Sequence, residues 1–573
     1  MKRVLLRAPV LVLAALALGA APAIASSDDH GDHHGGRHRD GRGHGENRGH
    51  GKGAGRMDRI RHIVVVYEEN HSFDNLYGGW EGVEGLSAAD PAHTTQVDQA
   101  GNAYACLRQD DVNLTSPPLP ATCTDQTTAS AFPNRPFTID DLIAPTDTTC
   151  PAPGVFAANG VPKGSGLPGG CTRDLVHRFY QEQYQLNGGM QNRYVTGSDA
   201  IGLTMGVYDT KKLPIYAYLH QPGHPSYAIA DHFFQSAFGG SFLNHQWLIA
   251  AASPTFPGAS ADQHSLVDDN GFPNQTYPLY TPTRAVRDTA LTVACDSPHP
   301  AGLACGDFAV NTIQPPYQPF GSGTRLPPQT APTIGDRLSA RGVDWAWYSG
   351  GWSNADGDVG APGWTNSDTA CTDPNTLAGA VFPNCPDKLF QFHHQPFNYF
   401  ASFAPGTRAR REHLRDEQEF LAASAASAKH CRLKQVSFVK PIGAENEHPG
   451  YASEHTGSDH LVDLLRGIQG SDCARDTMVV VTYDEFGGQW DHVSPPGQGT
   501  ATPGPHDAMG PSTRIPALVL APGLKPGFSV DHASHDTTSI MATIEHRFGL
   551  RPVATRDASV QDLATVFAAA RAG

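Results

Sequence analysis

The stretch "HIVVVYEENHSF", His62 to Phe73, opens as a hydrophobic strand and closes in a cluster of acids and amides. Its apolar run shows no alternation with polar residues, the texture of a strand buried on both faces of a parallel sheet. The same texture returns in "GVDWAWYSG" (342–350), "KQVSFVKP" (434–441), "TMVVVTYDE" (477–485) and "RIPALVLAPG" (514–523). Helical patterns lie between these runs. "SDHLVDLLRGIQ" starts at a Ser/Asp cap and sets Leu461, Leu464, Leu465 and Ile468 on one side. "TSIMATIEHRFGL" carries Ile540, Met541, Ile544 and Phe548 and stops at Gly549. Strands alternating with helices predict an α/β fold, a three-layer α/β/α sandwich.

The segments around 85–175 and 250–335 differ. They are rich in Pro, Gly, Asn and Thr, hold six of the ten cysteines, and read as long insertions over the sheet. The N-terminus, "MKRVLLRAPVLVLAALALGAAPAIA", has the basic start, short apolar core and small-residue end of a signal peptide over residues 1–25. Its apolar run falls short of the ~20 residues a membrane-spanning helix needs, so no transmembrane anchor is expected. Residues 26–56 contain six of the 28 histidines among Gly and charged residues, with no apolar face to bury, and read as a disordered linker. The catalytic domain is then 57–573, in a protein secreted or delivered to the periplasm. In that setting ten cysteines imply disulfides, and sequence neighbours suggest the loops 106–123, 150–171, 295–305, 371–385 and 431–473. A formal charge of −16 argues against a nucleic-acid partner, which calls for Lys/Arg excess.

Open α/β sheets place their sites at the carboxyl ends of strands. The first strand delivers Glu69 and Asn70 there, and "MVVVTYDEFGG" delivers Asp484 and Glu485. Either alone reads as a capped strand end. Together they offer the oxygen donors that hold a hard divalent cation. In "ADHFFQSAFGGSFLNHQWLIAAA" (230–252), Ser241 follows two glycines and opens a helix, where free N–H groups and the helix dipole favour an anion. A serine in that place is also an ordinary N-cap. Residue 243 is Leu, so this is not the Gly-x-Ser-x-Gly elbow of α/β-hydrolases. His177, His393, His394, His448 and His492 sit in aromatic or apolar surroundings, where histidines can bind phosphate oxygens and protonate a leaving group.

Five collinear motifs, "VVYEENHSFDNLYG", "HRFYQEQYQLNGG", "AFGGSFLNHQ", "QVSFVKPIG" with "NEHPGYAS", and "YDEFGGQWDHV", resemble the bacterial phosphoesterase family of acid phosphatases and phosphocholine-type phospholipases C. The resemblance spans about 60 to 550. It implies an alkaline-phosphatase-like α/β/α fold, with Glu69, Asn70, Asp484, Glu485 and Ser241 as ligands of one divalent metal ion. Ligand type favours Ca, Mg or Mn, with Fe or Zn as alternatives. Ser241 would also be the nucleophile, and His177, Asn354 (in "SGGWSNA"), His393, His394 and His448 would surround the phosphate. The phospholipase branch carries a threonine nucleophile in a Gly-Pro-Thr context, whereas this chain has Gly240-Ser241-Phe242. That departure makes a secreted acid phosphatase acting on small phosphate monoesters the first expectation, and a phospholipase C acting on phospholipid head groups the alternative. A rival of another class is a metal-sequestering protein whose Gly/His segment does the work. A sulfatase is disfavoured, because no Cys-x-Pro-x-Arg segment occurs. Glu68 is expected on the far side of its strand, and His71 and Asp74 receive no role.

Overall fold

The computed structural model describes residues 55–98, 100–107, 132–141, 175–198, 201–258, 306, 308–310, 326–365, 390–449, 452–499 and 502–572. The expected signal peptide, nearly all of the linker, most of both insertions and the cysteine loops 150–171, 295–305 and 371–385 lie outside the described residues. Cys431 and Cys473 are joined as expected, and Cys106 is disulfide-bonded, with Cys123 outside the described residues.

The main sheet is built from β1 (His62–Glu68), β2 (Tyr227–Ala230), β3 (Trp345–Ser349), β4 (Leu414–Asp416), β5 (Val436–Lys440), β6 (Thr477–Tyr483), β7 (Ala517–Leu520), β8 (Phe528–Asp531) and β9 (Ala570–Arg571). Their order is β9-β8-β2-β7-β6-β1-β5-β3-β4. All five apolar runs of the sequence are strands here, and β1 lies between β5 and β6 with both pairings parallel. Val64, for example, stands opposite Ser437 on one side and Val479 on the other. The sheet is not wholly parallel: β7 runs against β6 and β2, and β9 against β8. An unbroken apolar run reports burial on both faces and carries no information about strand direction, so "RIPALVLAPG" could not announce its reversal.

Helices cover both faces, which gives the three-layer α/β/α arrangement. On one face Glu454–Gln469 packs with Pro214–His220 and Glu417–Ala425; on the other Ser241–Ala250 packs with Thr538–Phe548 and Ile334–Arg341. Helix Glu454–Gln469 begins a turn earlier than its sequence suggests. Ser453, not Ser458, accepts from an N–H of the first turn, while Ser458 Oγ accepts from Ile215 N–H at 3.1 Å and ties two helices together. Leu461, Leu464, Leu465 and Ile468 are buried as read, and Thr538–Phe548 ends at Gly549 in the left-handed region (φ 64°). Strand alternation divides β1 between the two faces. Tyr67 reaches the carbonyl of Asn244 on the Ser241 helix, and Glu68 turns away from it toward Glu447.

Candidate active site

Because β1 and β6 are in register at Glu68 and Tyr483, the residues after them leave the sheet side by side. Asn70 N–H donates to Asp484 Oδ1 at 3.0 Å, and Glu69 N–H donates to the carbonyl of Asn446 at 3.0 Å. Asn70 sits at φ 60°, a left-handed conformation that asparagine accepts more readily than most residues. The chain returning from β6 passes so close that a Cβ on Gly487 would lie 2.3 Å from the Asn70 carbonyl oxygen. Only glycine fits there.

Ser241 is the first residue of its helix, and the cap position belongs to Gly240. The serine side chain makes no capping bond; it points across the strand ends instead. Its Oγ lies 3.3 Å from Glu69 Oε2, 3.4 Å from Asn70 Oδ1 and 3.3 Å from Glu485 Oε1. One hydroxyl hydrogen cannot serve three acceptors. Asp484 Oδ2 is buried beside them with no hydrogen-bond partner among the described residues. Burial, then the charge of Glu69, pushes Asp484 well above the usual carboxylate range, and burial with Asp484 does the same to Glu485. Burial acts on Glu69 too, but Lys440 and His394 outweigh it and hold Glu69 well below that range. Lys440 Nζ lies 2.5 Å from Glu69 Oε1 and also donates to the carbonyls of Tyr67 and Glu68. Three buried carboxylates with surplus oxygens, against one paired lysine, are a donor set that fits a divalent cation.

The histidines share an orientation. His448 Nδ1 donates to the carbonyl of Pro449 at 2.7 Å, His177 Nδ1 to that of Leu175, and His245 Nδ1 to that of Ser241 at 2.8 Å. Each bond leaves Nε2 facing the acids: His448 is 4.0 Å from Glu69 Oε2, His177 is 3.4 Å from Glu485 Oε1, and His245 is 3.9 Å from Glu69 Oε1. His394 Nε2 lies 2.8 Å from Glu69 Oε1, and the His393 ring sits 4.7 Å from that of His394. Burial, reinforced by Lys440 for His245 and by His394 for His393, holds both rings well below the usual histidine value, so both are neutral.

Asn354 is tied to Thr365. Its amide donates to Thr365 Oγ1 at 2.6 Å and its oxygen accepts from Thr365 N–H at 2.9 Å; neither bond reaches Ser241. His492 goes elsewhere, to Asp74 Oδ2 at 2.5 Å, in a buried group completed by Asp491 and Arg514. That group gives Asp74 a structural place which its sequence did not suggest.

Two residues of the centre escaped sequence reasoning. Lys440 closes a third strand, "VSFVK", beside the two acidic ones; a charged end on yet another buried strand was the available signal. His245 lies four residues after Ser241 and therefore on the same helix face. With Glu69 and His394 it offers ligand-capable atoms within 4.8 Å of one another, so nitrogen donors stand beside the oxygens.

The chain has relatives among known proteins. Phospholipase C B of Mycobacterium tuberculosis is 23% identical over 544 residues, covering 90% of this chain and 78% of that protein. A non-hemolytic phospholipase C of Burkholderia pseudomallei is 31% identical over 145 residues, 22% of this chain and 20% of its own. Among solved structures, an alkaline phosphatase superfamily protein of Vibrio parahaemolyticus aligns over 62% of this chain and 65% of its own. That alignment has 10% identity and a TM-score of 0.25, an overlap too slight to carry an inference. The phosphoesterase family profile matches residues 60–551, which takes in every residue of the site described above. The chain therefore belongs to the phosphoesterase family.

Proposed function

We propose that this chain is a metal-dependent phosphoric ester hydrolase of the phospholipase C type, with Ser241 as its nucleophile. The observation that carries the reading is the Ser241 hydroxyl, at a helix N-terminus and 3.3–3.4 Å from oxygens of Glu69, Asn70 and Glu485. The phospholipase reading, the alternative at the outset, is preferred to the phosphatase because the relatives named above are phospholipases C. The serine in place of threonine is then a variation in the attacking hydroxyl.

In this reading Glu69, Asn70, Asp484, Glu485 and Ser241 hold the cation, with His245 and His394 beside it. The bound ion would lower the pKa of the serine hydroxyl and neutralise phosphate charge. Ser241 Oγ forms a bond to phosphorus as the bond from phosphorus to the alcohol oxygen breaks, leaving the phosphorylated head group esterified to the serine. A histidine protonates the departing alkoxide; His448 and His177 are the candidates, since their Nε2 atoms face the acids. Water then attacks phosphorus and releases the serine. The neutral His393 and the helix N-terminus border the phosphate, and Asn354 keeps such a place on family resemblance alone. Export rests on the N-terminal sequence. Among the described residues no helix is long and apolar enough to cross a membrane.

The test compares p-nitrophenylphosphorylcholine and phosphatidylcholine with p-nitrophenyl phosphate. The choline esters should be favoured by about 10-fold or more in kcat/KM; preference for the monoester would restore the phosphatase. Chelation should abolish turnover and lower stability by on the order of 2–3 kcal/mol at saturating metal, with both recovered on return of the ion. Elemental analysis of untagged protein identifies the metal. Turnover that survives exhaustive chelation would remove the ion from the mechanism.

A further inference from the structure

The turn that presents Ser241 is held by a residue outside the centre. Glu182, fully buried in the helix Phe179–Leu186, accepts hydrogen bonds on both carboxylate oxygens. Oε2 accepts from Gly239 N–H at 2.6 Å and from Gln235 Nε2 at 3.0 Å. Oε1 accepts from Thr513 N–H at 3.2 Å and from Thr513 Oγ1 at 2.7 Å. Gln235 carries the connection onward. Its Nε2 also donates to the carbonyls of Ala237 and Gly239, and its Oε1 accepts from Phe486 N–H at 2.8 Å, directly after Asp484 and Glu485. Glu182 and Gln235 thus join the turn before Ser241, the end of β6 and the segment at Thr513.

The turn has little freedom otherwise. Gly239 is at φ 88°, and a Cβ there would lie 2.6 Å from Phe179 N, at the start of the helix that carries Glu182. Asn244 binds the same turn from the other side, through Ala237 N–H and the carbonyls of Ala237, Gly239 and Gly240.

We propose that Glu182 is a positioning residue, which through Gly239 and Gln235 sets the Ser241 hydroxyl against the oxygens of Glu69, Asn70 and Glu485. The proposal rests on the reading of Ser241 as nucleophile. A carboxylate is required because each oxygen faces a backbone N–H, and a backbone N–H cannot reverse its role. An amide has one acceptor. Glu182→Gln would set an NH2 group against either Gly239 N–H or Thr513 N–H, and Gln235 cannot rotate to relieve this without losing Phe486. A displacement of the turn by about 1 Å costs on the order of 10²-fold in rate.

Steady-state kinetics are measured on the metal-saturated full-length protein at pH 8, above the value of about 7 to which burial pushes Glu182. Glu182→Gln should lower kcat by 10- to 100-fold while KM stays within about 3-fold, well below its melting temperature. Unchanged kcat, or equal loss in kcat and metal occupancy, would overturn the proposal. If that variant does not fold, Gln235→Met cuts the link to Phe486 and leaves Glu182 in place. A fall in kcat at constant KM then supports the proposal, and wild-type kcat overturns it. Ser241→Ala separates the two readings: activity surviving in it sinks the nucleophile assignment, whereas an inactive Ser241→Ala beside a fully active Glu182→Gln sinks only the positioning role.

Discussion

Two buried acidic chambers flank β1, one on each face, and neighbouring residues feed them. Glu69 joins Asp484, Glu485 and Ser241 beside the helix Ser241–Ala250, while Glu68 turns toward Glu447 on the face of Glu454–Gln469. Both glutamates are fully buried, and they respond in opposite ways. Glu69 is held low by Lys440 and His394 against the pull of burial; burial, with Glu447, drives Glu68 well above the carboxylate range. Burial favours protonated acids in both chambers, at Asp484 and Glu485 in the first and at Glu68 and Glu447 in the second. Burial pushes Glu447 up to about 8, and Glu447 accepts from the Tyr483 hydroxyl. His71 has Asn75 Oδ1 at 2.5 Å on one nitrogen, and Glu454 Oε1 at 2.7 Å with the Glu447 carbonyl at 2.9 Å on the other. With acceptors on both sides it is an imidazolium, raised to about 9 by Glu454 in spite of burial. Buried acids alone therefore do not mark a reactive centre. What sets the first chamber apart is a hydroxyl, Ser241 Oγ, among the acids, with histidine Nε2 atoms facing them.

The largest effect should separate the chambers outright. Ser241→Ala is expected to lower kcat by at least about 10³-fold with little change in melting temperature; near-normal kcat would place the chemistry elsewhere. Lys440→Met comes next, because it removes the cation from Glu69 on the reactive side and from two carbonyls of β1. Breaking such a buried pair costs roughly 3–5 kcal/mol, read by chemical denaturation. A loss below about 1 kcal/mol would mean that the histidines alone compensate Glu69. The smallest effect belongs to the Glu447 chamber. An unfolded glutamate releases its proton near ~4.3, whereas native Glu447 keeps its proton to about 8. Between those values the native state binds the extra proton, so this contribution to stability falls as pH rises and is gone above 8. Retention of the His71 proton to about 9 adds to the same slope. Glu447→Gln imitates the protonated acid and should flatten, without abolishing, the fall in melting temperature between pH 5 and 8.5. The gain at the alkaline end is on the order of 2 kcal/mol. An unchanged slope would show that Glu447 is ionised in the native protein.

Much of this was legible in residue order. Five strands announced themselves because each lies in an unbroken apolar run, whereas β4, β8 and β9 are short or carry polar residues, and β2, four residues long and fully buried like β7, is followed directly by Asp231 and His232. Glu69, Asn70, Asp484 and Glu485 were readable for a related reason: acids directly after such strands have nowhere to go but the sheet edge. Ser241 was ambiguous, since Gly-Gly-Ser before a helix suits a cap equally well, and the cap role falls to Gly240. Lys440 and His245 were missed because lysine at a strand end and histidine within a helix are ordinary until their neighbours are known.

The sequence by itself determined the alternation of strands and helices, the acids at two strand ends and the family, because these depend on local pattern and on motifs in order. Only the tertiary structure decided that β1 and β6 are neighbours, that Glu68 and Glu69 part to opposite chambers, and that Lys440 and His245 approach Glu69 while Glu182 binds the turn before Ser241. It also reversed β7 and sent His492 to Asp74. Such facts follow from which strands pair and which side chains share a low-dielectric pocket. They are contacts between residues up to hundreds of positions apart, and no local pattern encodes them.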